Sequence, residues 1–435
     1  MTPPDAASLP VSVPAAPSRA WDGAPAATPA QPLRPLPAAG SVAERPVAAL
    51  FAVALAGFCS FLGFYASMPL LPMLQAVFGV TKAQAALTVS GPTVAIALAS
   101  PFSGLVARRF GARRTIVAAL LFLPVPTLLT ATAQSLHTLV LWRFVQGLAV
   151  PGIYAVSMAF LAEEWPAEGL GRAMAALVTG NVVGGFSGRF LSGIVADHLG
   201  GWRVAFVVLG VVTAIAAVGA ARLFPRGGRS RGGPARAGRA RPRDILGEPR
   251  LLATFAVGFM VLFTLVATFT YVTFHLSAPP FSLRTSALSY LFTVYLVGAV
   301  VTPFAGRWID RVGSRRAITL ALGAAVAGGA LTLAGSLALV VAGLTVVSTA
   351  VFVSQAASTT YLRTAARPRA RPAASGLYVS LYYLGGSTGA ILPAVAWRVG
   401  GWPACVALVA AVQVATIALA WRAWRTPDEA RPRSG

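Results

Sequence analysis

Charged residues are scarce in this chain, and their scarcity excludes the water-facing surface of a soluble protein. Only 11% of the 435 residues are Asp, Glu, Lys or Arg, whereas a soluble globular domain carries about 25%. Apolar runs of about 20 residues recur instead, each long enough to cross the ~30 Å hydrocarbon core of a bilayer as a helix. With 56% hydrophobic residues, the sequence predicts an all-α membrane protein whose partner is the lipid bilayer.

Cysteines and catalytic groupings are also rare. The two cysteines, Cys59 and Cys405, both lie inside apolar runs, where they fit neither a disulfide framework nor a metal pair. No P-loop of the form GxxxxGKS or GxxxxGKT occurs. The spans contain no cluster of nucleophile, base or metal ligands. We therefore expect no enzyme activity, no cofactor and no metal.

The charges that are present are mostly arginines. The chain has 35 Lys and Arg against 12 Asp and Glu, a net charge of +23. In a soluble protein such an excess would indicate nucleic-acid binding. Here the arginines stand in short patches between apolar spans, where positive charge sets the orientation of a membrane protein. No nucleic-acid partner is therefore expected.

Twelve transmembrane helices are predicted. Their bounds are about 47–73, 83–106, 115–134, 137–161, 172–196, 202–224, 250–275, 285–306, 316–334, 336–362, 372–397 and 402–424. Arginines cluster in the loops after spans 2, 4, 6, 8 and 10. The opposite loops contain only Lys82, Arg203, Arg284 and Arg398. By the positive-inside rule, both termini are predicted to be cytoplasmic.

Shifts in composition divide the chain into five segments. Residues 1–45 are rich in Pro and Ala and are predicted to form a disordered cytoplasmic tail. Residues 46–224 and 250–424 are predicted to form two six-helix halves. The Arg- and Gly-rich segment 225–249 lacks an apolar period, which indicates a flexible cytoplasmic linker between them. Residues 425–435 form a short second tail.

One arginine-rich phrase occurs twice, 202 positions apart. GLVARRFGARR begins at Gly104 and GRWIDRVGSRR begins at Gly306, with Gly, Arg, Gly and Arg-Arg at the same spacing. Shorter echoes, GGFSG against GGSTG and GGWR against GGWP, keep nearly the same offset. Together they predict two parallel halves built on one plan, an architecture in which transporters bind their substrate between the repeats.

The repeated phrase resembles the signature loop of the major facilitator superfamily, which lies between spans 2 and 3 and again between spans 8 and 9. The resemblance covers nearly all of residues 46–424 and implies the major facilitator fold. The positions it assigns to the gates are Gly104, Arg109, Gly111, Arg113, Gly306, Asp310, Arg311, Gly313 and Arg315. Arg108 replaces the acid of the family pattern, so the first latch is expected to be altered. Simple orientation charge is the alternative interpretation of these arginines.

Two further motifs carry the same resemblance. RFVQG matches the span-4 motif with Arg143 and Gln146. GNVVGGFSGR resembles the span-5 motif of exporters, but Arg189 stands where a glycine is usual. The glycines of that motif are Gly180, Gly184 and Gly188. Small residues at this spacing also let two helices pack closely, which is an equally good interpretation.

The subgroup is indicated by GNVVGGFSGR together with ASGLYVSLYYLGGSTGA, which begins at Ala374. Both resemble bacterial inner-membrane transport proteins placed near the arabinose and drug exporters. The resemblance implies a secondary active transporter that moves a small molecule across the inner membrane by alternating access, as an exporter. We expect it to act as a monomer.

Two arginines lie inside predicted spans, and no acid lies as deep. By helix rise, Arg143 and Arg189 are at similar depths, about 9 Å and 10–13 Å from the outer ends of spans 4 and 5. A charge at such depth needs a partner or a wet cavity. The arrangement predicts a positive cavity that favours anionic or polar neutral cargo, with Arg143 contacting the anionic group. Snorkelling toward the interface is the alternative.

Aromatic and amide side chains are predicted to complete this site, although for any single tyrosine a place in the interface belt or in the core is the more common role. Tyr378 and Tyr382 are four apart and share a helix face. The full set is Tyr65, Tyr290, Tyr295, Gln355, Tyr378, Tyr382 and Tyr383.

Other functions remain open at this point. A drug–proton antiporter of lipophilic cations would use protons as the coupling ion and would need a titrating acid such as Asp197. A non-transporting receptor or a channel would explain the spans but not the doubled gate motif.

Overall fold

Fifteen α-helices make up the part of the chain that the computed structural model describes, residues 46–225, 245, 247–367 and 369–424. The helices are α1 (Pro46–Leu62), α2 (Leu71–Phe78), α3 (Lys82–Phe110), α4 (Ala112–Phe122), α5 (Pro124–Ala131), α6 (Leu136–Glu164), α7 (Ala167–His198), α8 (Trp202–Leu223), α9 (Pro249–Ser277), α10 (Thr285–Tyr290), α11 (Val294–Val312), α12 (Ser314–Leu331), α13 (Leu337–Ala365), α14 (Arg371–Ile391) and α15 (Pro393–Ala423). A 3₁₀ turn, Leu291–Thr293, joins α10 to α11. The predicted tails and most of the predicted linker lie outside the described residues.

Eight helical segments of the described chain are long and apolar enough to cross a membrane. They coincide with predicted spans 2, 3, 4, 6, 7, 8, 10 and 12. The other four predicted spans are helical as well, but they are shorter or richer in Gly, Ser and Arg. The chain is therefore a multi-pass helical membrane protein, as the hydropathy predicts.

The first predicted span, 47–73, is wrong as one continuous helix. The helix ends at Leu62, and the segment 63–70 folds into tight turns before α2 begins at Leu71. Within this broken turn, amides bond to carbonyls three residues back, as in Phe64 to Phe61 at 3.2 Å. Such turns leave carbonyl groups without their usual helical donors, so another part of the protein must supply the hydrogen bonds.

The last two predicted spans also differ from the structure. Span 11 was expected to run over 372–397, but α14 ends at Ile391 because Pro393 has no amide hydrogen to continue the helix. The next helix then continues through the predicted loop at 398–401, with non-helical backbone only at Gly400 and Gly401.

The repeated phrase forms the same junction in both places. Gly111 joins α3 to α4 at φ 91°, and Gly313 joins α11 to α12 at φ 82°, values that favour glycine. Arg113 then donates from Nε to the carbonyl of Phe224 at 3.4 Å, and Arg315 donates from Nη1 to the carbonyl of Trp424 at 3.2 Å. Arg113 thus binds the C-terminal end of α8 and Arg315 the C-terminal end of α15, where a cation is favoured.

Glycines bring pairs of helices into backbone contact. On α7, a Cβ at Gly180, Gly184 or Gly188 would lie 1.9, 2.2 or 1.6 Å from a carbonyl oxygen of α1. On α14, a Cβ at Gly385 or Gly389 would lie 1.9 or 2.6 Å from a carbonyl oxygen of α9. The span-5 glycines therefore pack α7 against α1, whatever else they do.

The helices before residue 225 form a first set and those after it a second set, and the hydrogen bonds described between the two sets lie at one end of the molecule. The junctions at Gly111 and Gly313 define the arginine-rich end, and the junctions at Thr81 and Gly201 define the opposite end. At the opposite end Ser90 Oγ of α3 lies 2.6 Å from Ser387 Oγ of α14.

The arginine-rich end shows no such contact among the described residues. A Cβ placed at Gly104 or at Gly306 would have no described heavy atom within 4 Å. Residues 104–106 and 108–111, at the end of α3, are exposed. The two sets are therefore joined by hydrogen bonds at the opposite end, whereas the end of α3 is exposed at the arginine-rich end.

Candidate functional site

Arg143 is fully buried on α6, and its guanidinium binds backbone. Nε donates to the carbonyl of Thr88 at 3.2 Å, and Nη1 donates to the carbonyl of Gly63 at 2.5 Å. Nη1 also donates to Gln146 Oε1, and Nη2 donates to the carbonyl of Phe64. Four of the five N–H groups of the side chain are thus engaged.

These contacts engage four donors of Arg143 with protein groups in this conformation, and its contact with an anionic cargo stays a prediction. The arginine supplies the donors that the broken turn at 63–70 lacks. Gln146, predicted beside it, orients Arg143 and donates in turn to Thr127 Oγ1 at 2.8 Å. Depth alone did not distinguish this structural role from substrate binding.

Arg189 has a different environment. Its side chain on α7 is 6% exposed, and Nη1 donates to the carbonyl of Gly185 at 2.7 Å. Nε has no hydrogen-bond partner among the described residues. The guanidinium carbon lies 4.6 Å from the ring centroid of Tyr65, 4.7 Å from Tyr295 and 5.5 Å from Phe292. We call these four side chains the Arg189 cage.

The Arg189 cage is assembled from both sets of helices. Tyr65 comes from the broken turn at 63–70, and Phe292 and Tyr295 come from the 3₁₀ turn and the start of α11. The hydroxyl groups of Tyr65 and Tyr295 have no hydrogen-bond partner among the described residues. A buried cation and two buried hydroxyls therefore share one place with unused hydrogen-bonding capacity, which is unusual for a native protein.

Tyr378 and Tyr382 lie in the same aromatic cluster as the cage. Their rings are 6.0 Å apart, and Tyr382 contacts Tyr383 at 5.5 Å. Tyr383 in turn contacts Phe64 at 5.9 Å, next to Tyr65. The structure thus brings together most of the predicted tyrosines.

Two predicted members do not join the cage. Gln355 is half-buried on α13, and no described contact places its side chain against Arg189. Tyr290 is exposed and meets Phe190 instead. Sequence reasoning missed Phe292. The one signal that could have found it is its position three residues before Tyr295, which places the two rings on the same side of a helical turn.

A separate small cavity of about 10 Å³, the size of one water molecule, lies among α9, α12, α13 and α15. It is lined by Thr268, Thr332, Trp402 and Gln413, among mostly apolar side chains. All its lining residues come from the second set of helices, and none carries a charge. We therefore place the candidate site at the Arg189 cage, which both sets build.

No acid neutralises the cage within the described part of the chain. The one ion pair among those residues joins Arg250 to Glu248 at 3.9 Å. Asp197 is two turns along α7 from Arg189, and its Oδ2 accepts a hydrogen bond from Ser286 Oγ at 2.5 Å. This bond is the main cause that lowers the pKa of Asp197, so the carboxylate stays charged at neutral pH.

The Asp197–Ser286 bond also ties α7 to α10 at the closed end. One turn nearer the cage, a Cβ at Gly193 would lie 1.6 Å from Ser289 Oγ. Lys82 adds a third tie, because its Nζ lies 5.7 Å from the Phe274 ring and 5.2 Å from the Trp397 ring. These contacts close the molecule above the cage.

Removing the Ser286 hydroxyl is expected to loosen this closed end. Ser286→Ala should speed amide hydrogen exchange in 190–198 and 285–291 about fivefold, since one such bond contributes about 1 kcal/mol. Because the pKa of Asp197 is lowered, the bond contributes fully above the unperturbed value of about 3.9 and is lost only as the pH falls further. Ser286→Thr, which keeps the hydroxyl, is the control. Equal exchange in all three proteins would show that the bond does not hold this end closed.

The predicted gate residues make no latch in this conformation. Asp310 and Arg311 are exposed on α11, and Arg109 lies 5.9 Å from the ring of its neighbour Phe110. Asp310 forms no ion pair within the described residues, where Arg250–Glu248 is the one pair found. A gating role for these residues stays a prediction for the state in which the arginine-rich end closes.

Comparisons with known proteins agree with this architecture. The family model described as Major Facilitator Superfamily matches residues 53–389 and 274–435. The inner membrane transport protein YnfM of Escherichia coli is 30% identical over 377 residues, which cover 85% of this chain and 89% of that protein. The uncharacterized MFS-type transporter YybF of Bacillus subtilis is 29% identical over 362 residues, with 82% and 89% covered.

Solved structures show the same fold. A bacterial homolog of the human lysosomal transporter Spinster, in an inward-facing and occupied conformation, superposes with a TM-score of 0.71 at 17% sequence identity. The match covers 89% of this chain and 98% of that chain. The resemblance of the repeated phrase is therefore confirmed: the chain belongs to the Major Facilitator Superfamily and is a membrane transporter, not an enzyme.

Proposed function

We propose that this chain is a secondary active transporter that exports a small molecule across the bacterial inner membrane by alternating access. The observation that carries the proposal is the asymmetry of its two ends. Ser90, Asp197 and Lys82 tie the helix sets together at the opposite end. The gate glycines Gly104 and Gly306 lie in open space at the arginine-rich end. This asymmetry is expected of a carrier in a conformation that is open to one side of the membrane only.

The arginine-rich end is proposed to face the cytoplasm. Cytoplasmic loops of membrane proteins carry the excess of arginine, and the repeated phrase places Arg-Arg pairs at this end in both copies. Both termini then lie in the cytoplasm, and the structure is the inward-open state. Export is supported by the likeness of the span-5 segment to exporters of the superfamily.

The two predicted halves, 46–224 and 250–424, are proposed to move against each other around the Arg189 cage. Each half has its own internal glycine contact: Gly188 of α7 packs against α1, and Gly385 of α14 packs against α9. Those contacts let each half move as a unit, as a monomer needs for alternating access. The cage is the place where both halves meet a prospective substrate.

The alternative, a drug–proton antiporter of lipophilic cations, has less support. Aromatic faces that attract a cation are already next to Arg189. No described acid lies in the cage to hold a cationic drug or exchange a proton for it. Asp197 has a lowered pKa, so it is a poor proton carrier near neutral pH. A channel would not explain the doubled gate motif at Gly104 and Gly306.

Cysteine labelling tests the proposed orientation. Cys59 and Cys405 are buried, so the native protein should be labelled only weakly. Gln134→Cys, exposed at the opposite end, should react with an impermeant maleimide in intact cells. Ala237→Cys, in the predicted linker, should react only in inside-out vesicles. The reverse pattern would overturn the orientation, and non-saturating flux in proteoliposomes would overturn the carrier.

A further inference from the structure

We propose that the Arg189 cage binds the carboxylate of an organic monoanion with a flat aromatic body. The inference rests on the transporter function proposed above and names the chemical class of its cargo. It follows from three features of the cage: its charge, its unused donors and its aromatic surroundings.

The charge of the cage is a single uncompensated cation. Arg189 is nine-tenths buried, and no described acid pairs with it, since the one ion pair found joins Arg250 to Glu248. An isolated buried charge is strongly unfavourable. One monoanion would neutralise it, whereas a phosphate with a charge of about −2 would leave an excess negative charge. Arg143 offers no comparable donors to a ligand in the cage, because four of its N–H groups are bound to backbone carbonyls and to Gln146.

The unused hydrogen-bonding groups of the cage point to an acceptor-rich ligand. Arg189 Nε and the hydroxyls of Tyr65 and Tyr295 have no described partner. The one described bond of the guanidinium is from Nη1 to Gly185, which leaves the edge formed by Nε and Nη2. A carboxylate accepts two parallel N–H bonds from such an edge. The two tyrosine hydroxyls can donate to its remaining lone pairs.

The surroundings of the cage suit an aromatic body. Phe269 lies 4.6 Å and Phe352 5.9 Å from the Tyr295 ring, and Phe64 lies 4.2 Å from the Tyr65 ring. These rings pack on one another, so the walls of the cage are aromatic, and the ring of an aromatic acid can add a further offset or edge-on contact to them. Small aliphatic acids would use the charge but not these surfaces, so they should bind more weakly than aromatic acids.

Thermal unfolding of the purified full-length protein in detergent tests the proposal. Benzoate is the probe. The comparisons are benzamide, which is its neutral isostere, and three other anions: acetate, benzenesulfonate and phenyl phosphate. Benzoate should raise the melting temperature in a dose-dependent way. Benzamide should have no effect, and acetate and phenyl phosphate should act only at higher concentration. Equal effects of benzoate and benzamide would overturn the proposal, as would tighter binding of phenyl phosphate.

Variants locate the effect. Arg189→Gln should weaken benzoate binding about 30-fold or more, the loss expected when one partner of a buried charge pair is removed. Tyr65→Phe and Tyr295→Phe remove hydroxyls that have no described partner, so each should keep the fold and weaken benzoate about fivefold. Arg172→Gln, on the exposed part of the same helix, is the control. Benzoate binding unchanged in Arg189→Gln and in both tyrosine variants would refute the site.

The outcome is separable from the transporter proposal. Saturable flux of another solute in proteoliposomes, without Arg189-dependent binding of benzoate, would refute the cargo class and leave the transporter intact. Arg189-dependent binding of benzoate, without saturable flux of any tested aromatic acid, would support the site and count against transport.

Discussion

Gly188→Ala is expected to separate α7 from α1 and to remove most of the folded protein from the membrane. A methyl group there would lie 1.6 Å from the carbonyl oxygen of Leu62 and 2.7 Å from its carbonyl carbon. Both atoms belong to the backbone, which cannot rotate away as a side chain can. Over-packing costs about 1–3 kcal/mol at ordinary core positions, and we expect a loss at or above the upper end of that range.

The same helix offers a matched control. Gly171 is also on α7, and a Cβ there would have no described heavy atom within 4 Å. Because alanine favours a helix over glycine by about 1 kcal/mol, Gly171→Ala should be neutral or stabilising. Size-exclusion yield and melting temperature in detergent measure both variants. Matching values for the two would contradict the close packing of α7 on α1.

The glycine stripe is predictable from the sequence because it depends only on residue type at a fixed spacing. Gly180, Gly184 and Gly188 recur every four residues, and small residues at that spacing form one face of a helix. The repeated phrase is predictable for the same reason. The partners of its arginines are not, because Phe224 and Trp424 lie 111 and 109 residues from Arg113 and Arg315. Such neighbours arise only from the fold.

The two buried arginines show where sequence reasoning stops. Helix rise places Arg143 and Arg189 at similar depth, but it does not show which neighbour each one faces. Arg143 faces a break in the first span, and Arg189 faces the boundary between the helix sets. Gly63, Pro69 and Pro72 are signals of that break. They do not show that an arginine 80 residues later supplies its donors.

The break connects the two arginines. Arg143 binds the carbonyls of Gly63 and Phe64, and the next residue is Tyr65, whose ring lies 4.6 Å from the Arg189 guanidinium. Arg143 is thus joined, through two peptide units, to the Arg189 cage. In this arrangement Arg143 is a positioning residue for Tyr65.

Arg143→Met is expected to destabilise the whole protein severely. Methionine fills much of the space but leaves the carbonyls of Gly63, Phe64 and Thr88 without donors. Buried acceptors without partners cost about 1–3 kcal/mol each, and irregular backbone at membrane depth depends on such partners. We expect a loss of at least about 3 kcal/mol, seen as low yield and a low melting temperature. A stable Arg143→Met protein would show that the turn does not need its donors.

Arg143→Lys separates the positioning role from the folding role. Lysine keeps the charge but offers a single ammonium in place of the planar fork, so the fold should survive while the turn and Tyr65 shift. Benzoate binding should then weaken, and Tyr65→Phe should cost less in the Arg143→Lys background than in the native protein. Melting curves with benzoate for the native protein, the two single variants and the double variant give this coupling directly. Strict additivity of the two losses would show that Arg143 does not act through Tyr65, even if both residues are needed.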